Sequence, residues 1–153
     1  MIRDDDIARV VGAGALALLL GALGFQYIAH LAPCEMCHWQ RWPYIAASAI
    51  GLVGTLLWKK DARALAIATI LLVALSGLIG AYQAGMQWGF LPGPEACTVA
   101  HAYVMGSGAP PPQVSCNVAT WSLFGLSLAA YNAIFAFLIA GSGAIVMRRN
   151  HGA

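Results

Sequence analysis

Four long apolar runs, separated by polar or charged residues, constrain the fold of this chain more than any other feature. They cover residues 10–31, 43–58, 64–82 and 121–147 approximately. A helix needs about 20 mostly apolar residues to cross a bilayer. The chain is 60% hydrophobic and only 9% charged, whereas soluble domains average about 25% charged residues. The sequence therefore predicts an all-α integral membrane protein, a single four-helix bundle over residues 1–153.

The second apolar run is too short to cross a bilayer by itself. Residues 43–58 would span roughly 24 Å at about 1.5 Å per residue, against a hydrocarbon core of about 30 Å. We expect the second helix to begin near Cys37, which places Pro43 inside it, where proline kinks a helix unless the regular helix starts later. The predicted spans are then about 10–31, 37–58, 64–82 and 121–147. Two loops, at about 32–42 and 83–120, contain the cysteines.

The basic residues indicate how the bundle is oriented. The first apolar run is longer than the apolar region of a signal peptide, and no clear Ala-x-Ala site follows it, so we expect it to be retained. By the positive-inside rule, the side that contains most of the basic residues is cytoplasmic. Both termini are then cytoplasmic, and both cysteine loops lie in the opposite, oxidising compartment. The net charge of +2 gives no indication of a nucleic-acid partner. The residues on the cytoplasmic side are Arg3, Arg9, Lys59, Lys60, Arg63, Arg148 and Arg149.

Cys34 and Cys37 form a Cys-x-x-Cys pair, and Arg41 follows Cys37 by four residues. A pair with this spacing closes a readily reduced disulfide with a tunable thiolate. On a helix, residues four apart share a face, so Arg41 would stabilise a thiolate at Cys37 or an anionic partner beside it. Arg41 is also the one Lys or Arg on the extracytoplasmic side of the predicted topology. The alternative interpretation of Arg41 is an anchor at the membrane surface.

The cysteines admit several other interpretations. Periplasm-like compartments favour structural disulfides, and Cys97–Cys116 could be one because it would close a flexible loop. Cys34–Cys37 closes almost no loop, so stability is a poor reason for it. Cys34, Cys37 and His38 also match the Cys-x-x-Cys-His pattern of covalent haem attachment. A four-cysteine zinc site is a weaker alternative because the second pair lacks the spacing of a zinc knuckle, and we expect no metal.

The pattern Cys-x-x-Cys-x-x-Gln-Arg, placed between the first two of four spans, resembles the DsbB family of bacterial disulfide bond formation proteins. The second cysteine pair between spans three and four, and Trp121-Ser-Leu-Phe-Gly-Leu-Ser at the start of span four, are similar to that family too. The resemblance covers most of the chain. It implies a quinone-dependent thiol oxidase of the bacterial inner membrane. Such an enzyme reoxidises a periplasmic DsbA-like protein and passes the electrons through two cysteine pairs to ubiquinone or menaquinone.

The resemblance also implies a role for each site residue. Cys34 and Cys37 match the quinone-proximal pair, and Cys37 matches the thiolate that contacts the quinone. Arg41 matches the arginine that assists quinone binding. Cys97 matches the cysteine that forms a mixed disulfide with DsbA, and Cys116 matches its loop partner, which can bridge to Cys34.

The chain departs from the family near the exit of span three. Gln83 and Gln87 stand where many relatives carry His or Glu, which leaves a proton-relay role there open. The alternative to the oxidase is a non-enzymatic membrane subunit with structural disulfides, or with haem c attached at Cys34, Cys37 and His38.

Overall fold

The computed structural model describes residues 2–94, 97 and 114–151, and its described part is almost entirely helical. The elements in chain order are α1 (Asp4–Tyr27), α2 (Glu35–Ser48), a π-helix (Ala49–Gly54), α3 (Thr55–Leu57), a 3₁₀ helix (Lys59–Asp61), α4 (Ala62–Gln87), β1 (Ser122–Leu123), β2 (Leu126–Ser127) and α5 (Leu128–His151). Short connections join α1 to α2 and α3 to α4, whereas residues 88–127 lie between the last two long helices.

Three helices of the described part, α1, α4 and α5, are long and apolar enough to cross a membrane. The prediction of an all-helical membrane protein is confirmed at this level. The fourth helical stretch runs from α2 through the π-helix to α3. Large apolar side chains cover the outside of the bundle, as expected of a surface in contact with lipid rather than water. They include Leu20, Leu71, Leu78, Leu138 and Ile145, all more than half exposed.

The start of α2 is set by the cysteine motif. Cys34 is the N-cap residue of α2, and its Sγ accepts a hydrogen bond from the backbone N–H of Cys37 at 3.3 Å. The sulfur thereby serves a donor that the first helical turn leaves without a backbone partner. α2 begins at Glu35, two residues before the expected start, and Pro43 lies inside it. The motif is therefore held on the first turn of a helix.

α1 packs against the π-helix with almost no side chain between the two backbones. A Cβ atom built on Gly51 would overlap the backbone oxygen of Ala8, and a Cβ on Gly12 would lie 3.0 Å from the Cα of Gly51. Small residues permit this kind of approach between membrane helices. A buried core of small and branched side chains then fills the centre of the bundle. Its members are Ile7, Ala8, Val11, Ala15, Tyr44, Ala47, Ala66, Ile70, Val73, Ala136 and Ala140.

The start of α1 and the end of α5 meet at one end of the bundle. His151 Nε2 lies 3.1 Å from the carboxylate of Asp4, and Asn150 Nδ2 donates to the backbone oxygen of Ile2 at 2.5 Å. α2 begins and α4 ends at the opposite end, where the cysteines lie. The bundle therefore separates the chain termini from the cysteines by the length of its helices.

The helix bounds differ from the predicted spans at several places. α1 already begins at Asp4. The negative charges of three aspartates in its first turn stabilise the helix there, because the N-terminus is the positive end of the helix dipole. α5 begins at Leu128 rather than at residue 121, because β1 and β2 form a small antiparallel hairpin before it. Phe124 and Gly125 make its turn with φ values of 50° and 77°, and a left-handed turn of this kind is incompatible with a helix. Residues 95–96 and 98–113 of the predicted 83–120 loop lie outside the described residues.

Candidate redox-active site

The Cys34 and Cys37 side chains face each other at the N-terminus of α2. Their Sγ atoms are 2.7 Å apart, and all four cysteines of the chain are free thiols in the structure. Cys34 is buried, with 4% of its surface exposed, whereas Cys37 is partly exposed. The pair can therefore close into a disulfide without moving the helix, because the two sulfurs are already closer than van der Waals contact and need only a small further approach to bond.

The two loop cysteines, Cys97 and Cys116, lie next to each other and pack against the first pair. The backbone N–H of Cys116 donates to the backbone oxygen of Cys97 at 2.9 Å, and both side chains are buried. One compact cluster of buried side chains contains Cys34, Met36, Met86, Cys97 and Cys116, with Cys37 packed against it. The structure thus brings together the four cysteines that the sequence singled out, although Cys97 and Cys116 lie far from the first pair along the chain.

Cys34 and Cys97, which lie outside the membrane-spanning helices, have pKa values raised by their surroundings. The hydrogen bond that Cys34 shares with Cys37, together with burial, raises the pKa of the Cys34 thiol far above its ordinary value. Burial and a hydrogen bond with Cys116 raise the pKa of Cys97 to about 12. Both groups therefore stay protonated at neutral pH when they are reduced, and neither is a ready nucleophile in that state.

Arg41 lies one helical turn after Cys37, as the sequence predicts. Its Nη1 donates to Gln26 Oε1 at 2.5 Å, which fixes the guanidinium between α2 and α1. Its Nε is buried and has no hydrogen-bond partner within the described ranges. A buried donor without a partner costs free energy, so a bound acceptor at this place would be favoured.

A pocket of about 260 Å³ opens beside Cys37 and Arg41. Its walls come from α1, α2, α4 and α5, and they are mostly apolar, with a few polar groups at the inner end. Such a composition is typical of sites for small organic ligands. Phe25 and Phe135 line it and are 37% and 49% exposed on the outside of the bundle. The pocket therefore opens sideways, toward the surface that we assign to lipid.

Three aromatic rings that line this pocket, those of Phe25, Tyr131 and Phe135, are connected through ring contacts that include Trp121 behind them. The Phe25 ring centroid is 5.6 Å from that of Trp121, which lies 6.2 Å from that of Tyr131. Tyr131 in turn stacks on Phe135 with an interplanar angle of 21°. Flat rings prefer offset-stacked or edge-on aromatic neighbours. The opening is therefore suited to a planar ligand.

A chain of side-chain amides, which the sequence analysis missed, connects the pocket to the sulfurs. Tyr44 Oη donates to Asn132 Oδ1 at 2.5 Å, and Asn132 Nδ2 donates to Gln40 Oε1 at 2.7 Å. Gln40 Nε2 donates to Gln83 Oε1 at 2.6 Å, and Gln83 Nε2 reaches Cys34 Sγ at 3.1 Å and Cys37 Sγ at 3.7 Å. One signal was present in the sequence, because Asn132 is the single carboxamide in the apolar run 121–147. Polar groups at membrane depth tend to be functional.

A second, smaller cavity of about 40 Å³ lies on the other side of the same sulfurs. Cys34, Cys37, Gln83 and Gln87 line it together with residues 114–115, 118–121 and 127–129. Gln87 Nε2 donates to the backbone oxygen of Cys116 at 3.3 Å, and its Oε1 is buried without a partner in the described part of the chain. A cavity of this size is large enough for a water molecule, and the amide groups of Gln83 and Gln87 offer it polar partners.

The residues of the two alternative sites are also placed by the structure. His38, the ligand that covalent haem attachment would use, is exposed on α2. Within residues 2–94, 97 and 114–151, no group of three or more His, Cys, Asp or Glu side chains is arranged to hold a metal ion.

Comparison with known proteins places this arrangement in a family. A family model described as disulfide bond formation protein DsbB matches residues 5–146. The chain is 30% identical over 160 aligned residues to disulfide bond formation protein B of Aromatoleum aromaticum, an alignment that covers 94% of this chain and 95% of the relative. It is 35% identical over 83 residues to disulfide bond formation protein B of Dechloromonas aromatica, covering 50% of this chain and 46% of that relative. No solved structure gives a significant match.

Proposed function

The chain belongs to the DsbB family of disulfide bond formation proteins, and we propose that it is a quinone-dependent thiol oxidase that reoxidises a DsbA-like dithiol protein. Family membership implies disulfide formation at a membrane. What we propose beyond this is the electron acceptor, a quinone, and the protein partner, a DsbA-like dithiol protein. The observation that carries it is the position of Cys37. Its side chain lines the membrane-facing pocket beside Arg41, and it also packs against the cluster of loop cysteines.

The chemistry of the pocket fits a quinone. A quinone headgroup is planar and apolar, with oxygen acceptors at its edge. The aromatic rings at the opening suit its faces, and the unpartnered Nε of Arg41 suits one of its oxygens. When bound, ubiquinone or menaquinone would supply an acceptor for two electrons and two protons. Arg41, Tyr44 and Phe135 would hold it beside Cys37.

Energetics explain why an electron acceptor stronger than an ordinary disulfide is needed. A DsbA-like dithiol has a potential of about −120 mV. A disulfide near about −200 mV would take its electrons uphill by about 3.7 kcal/mol, because 30 mV corresponds to about 1.4 kcal/mol for two electrons. The second cysteine pair therefore needs an acceptor that drives the exchange.

The proposed exchange starts at the loop pair in its disulfide form. A thiolate of the partner attacks Cys97 Sγ, the Cys97–Cys116 bond breaks, and Cys116 leaves with the electron pair. The Cys116 thiolate then attacks Cys34 Sγ, the Cys34–Cys37 bond breaks, and Cys37 keeps the electron pair as a thiolate. Cys116 and Cys34 belong to one buried cluster, which supports this second step.

The second half of the exchange releases the oxidised partner. Its remaining thiolate attacks the partner sulfur that is bonded to Cys97, so that the partner disulfide forms and Cys97 leaves as a thiolate. Cys97 then attacks Cys116 in the Cys34–Cys116 bond, which restores the loop disulfide and frees Cys34. The net result is one oxidised partner and one reduced Cys34–Cys37 pair, whose two electrons pass to the acceptor.

We also propose that the protein lies in the bacterial inner membrane with both termini in the cytoplasm. The basic residues near the ends of the helices support this orientation by the positive-inside rule. The cysteine end would then face the periplasm, where the soluble partner is found.

The test is quinone reduction by the purified full-length protein, with a reduced DsbA-like protein as electron donor. We expect stoichiometric loss of quinone absorbance with oxidation of the donor. A Cys37→Ala variant should lose this activity, and His38→Ala should keep it. A haem absorption spectrum without added quinone, or donor oxidation that needs no quinone, would reject the proposal.

A further inference from the structure

The amide chain that ends on the cysteine sulfurs has a single hydrogen-bond direction. Each member donates to the next, from the Tyr44 hydroxyl through Asn132 and Gln40 to Gln83. The last donor, Gln83 Nε2, lies 3.1 Å from Cys34 Sγ and 3.7 Å from Cys37 Sγ. The Cys37 thiol can in return donate to Gln83 Oε1 at 4.0 Å, a contact that a thiolate cannot make because it has no proton to donate. The polarity of the whole chain therefore points toward sulfur.

A backbone carbonyl fixes this direction. Asn132 Nδ2 also donates to the backbone oxygen of Ser76 at 3.4 Å, and a carbonyl oxygen can only accept. The nitrogen end of Asn132 is thereby assigned, and its oxygen is left for the Tyr44 hydroxyl. Gln40 must then accept from Asn132 with its oxygen and donate with its nitrogen. Gln83 accepts from Gln40 and is left with its nitrogen turned to the cysteines.

The chain is also shielded from water. Gln40 and Gln83 are 6% and 2% exposed, and Tyr44 is 2% exposed. Ser76, which is fully buried, donates to the backbone oxygen of Gln40 at 2.9 Å and ties α4 to α2. In a low-dielectric setting, a hydrogen bond to a charged group is stronger and an unpaired polar group is more costly. The orientation of the Gln83 amide is therefore held by every residue of the network.

We propose that Gln83 donates a hydrogen bond to the thiolate at Cys37, and that Gln40, Asn132 and Tyr44 are positioning residues that keep its nitrogen turned to the sulfur. This proposal rests on the proposed function, in which attack on Cys34 Sγ breaks the Cys34–Cys37 bond and leaves the electron pair on Cys37. Gln83 transfers no proton in that step. Its N–H group stabilises the charge that appears on the leaving sulfur, as a preorganised donor does at an oxyanion.

The proposal gives Asn132 a role at a distance from the sulfur. Asn132 is on α5, contacts neither cysteine, and acts through Gln40. Its removal would free Gln40 to rotate, and Gln83 could then present its oxygen to the sulfur instead of its nitrogen. Loss of the Asn132 amide should therefore make the Cys37 thiolate less stable relative to the thiol, as loss of Gln83 should, but by a smaller amount.

The test uses a full-length background with Cys34→Ala, Cys97→Ala and Cys116→Ala, in which Cys37 is the one remaining thiol. The rate of alkylation by iodoacetamide is measured against pH in detergent, without quinone or partner. Because the thiolate is the reactive form, the midpoint of the profile reports how readily the thiolate forms. Gln83→Met should move the midpoint up by about one pH unit, the size expected for one hydrogen bond to a charged group.

Asn132→Leu should move the midpoint in the same direction by a smaller shift. Its matched control is Asn150→Leu, which makes the same substitution at the other end of α5 and also removes a hydrogen bond, there to Ile2. Asn150→Leu should leave the midpoint unchanged. Tyr44→Phe removes a single hydroxyl and serves in place of Asn132→Leu if that variant fails to fold.

An unchanged midpoint in a folded Gln83→Met protein would overturn the proposal, as would equal shifts in Asn132→Leu and Asn150→Leu. The measurement contains no quinone, so it separates this proposal from the proposed function. If Gln83→Met shifts the midpoint in this background but the unaltered protein reduces no quinone, Gln83 is still the donor to the thiolate and the proposed oxidase function is rejected.

Discussion

Arg41 donates from Nη1 to Gln26 Oε1 at 2.5 Å, so the guanidinium on α2 is tied to the facing side of α1. This contact leaves the Nε group pointing at no other residue of the described chain while it remains buried. Gln26 and Arg41 both line the pocket. The pair therefore presents a preorganised donor in a mostly apolar recess. An arginine held in this way loses little side-chain entropy when it binds an acceptor.

Arg41→Ala should raise the KM for quinone about tenfold or more while both disulfides still form. The reason is the loss of a hydrogen bond from a charged donor, which is worth about 1.5–3 kcal/mol. Steady-state kinetics over a quinone series measure the effect. Arg148→Ala, at the other end of the bundle, is the control and should leave KM unchanged. An Arg41→Ala protein with unaltered KM and kcat would contradict the assignment.

Cys116→Ser should accumulate a mixed disulfide between Cys97 and the partner protein. In this variant Cys97 is a free thiol, so the adduct forms from the oxidised partner: the Cys97 thiolate attacks the partner disulfide, one partner sulfur leaves as a thiolate, and no Cys116 thiol is present to resolve the new bond. Non-reducing electrophoresis with partner present should show the adduct, and Cys97→Ser should abolish it. If the adduct instead survives in Cys97→Ser and needs Cys116, the order of the two loop cysteines is reversed.

The reduced protein should show an alkaline shift in the reactivity of Cys97. With its pKa raised to about 12 by burial, the thiolate fraction should keep rising about tenfold per pH unit above pH 9. An ordinary thiol levels off there, because its pKa is near 8.5. The same shift means that the reduced fold loses stability as pH rises from about 9 toward 12, since the unfolded chain releases its proton first.

Mass spectrometry after timed alkylation gives the rate at Cys97 for each pH. The denatured protein is the reference and should show the ordinary profile. A plateau near pH 9 in the folded protein would mean that Cys97 is open to water in solution.

Gly51→Ala should destabilise the bundle by about 1–3 kcal/mol, the usual range for overpacking. The new methyl group would overlap the backbone oxygen of Ala8, and backbone atoms cannot turn aside as a side chain can. Gly141→Ala is the matched control, because a Cβ there meets no atom within 4 Å. Unfolding in detergent mixtures measures both variants. Equal stability of the two would show that α1 can move away from the π-helix.

Hydropathy predicted the helical membrane class, because a run of apolar residues has one physical consequence in a bilayer. It could not locate helix ends, because a helix can extend beyond the apolar residues that cross the membrane or begin after the first of them. α1 starts at Asp4 among charged residues, and α5 starts only after the turn at Phe124. These ends are decided by backbone dihedrals and by charges at helix termini, which an average over many residues does not detect.

Sequence reasoning found the site residues whose side chains are distinctive by themselves. It missed those whose role depends on the residues to which they are hydrogen-bonded. Cysteines and an arginine are conspicuous in an apolar chain. The structure gathers the four cysteines in and against one cluster, and it places Arg41 with Cys37 on the wall of the pocket. Gln40 and Asn132 gave little signal, because a carboxamide acquires meaning only from the groups that it joins. Gln40 lies three residues from Cys37, but its connection to Gln83 and Asn132 spans helices that are distant in sequence.

Cys37 and Gln83 line both the mostly apolar pocket and the small cavity beside it, so the two spaces meet at these side chains. Reactants that never mix could then meet the same sulfur atom from opposite faces, one dissolved in lipid and the other in water. Neither would have to cross the membrane surface to exchange electrons. The fold would thereby let one cysteine exchange electrons with a lipid-soluble molecule on one side and a water-soluble protein on the other.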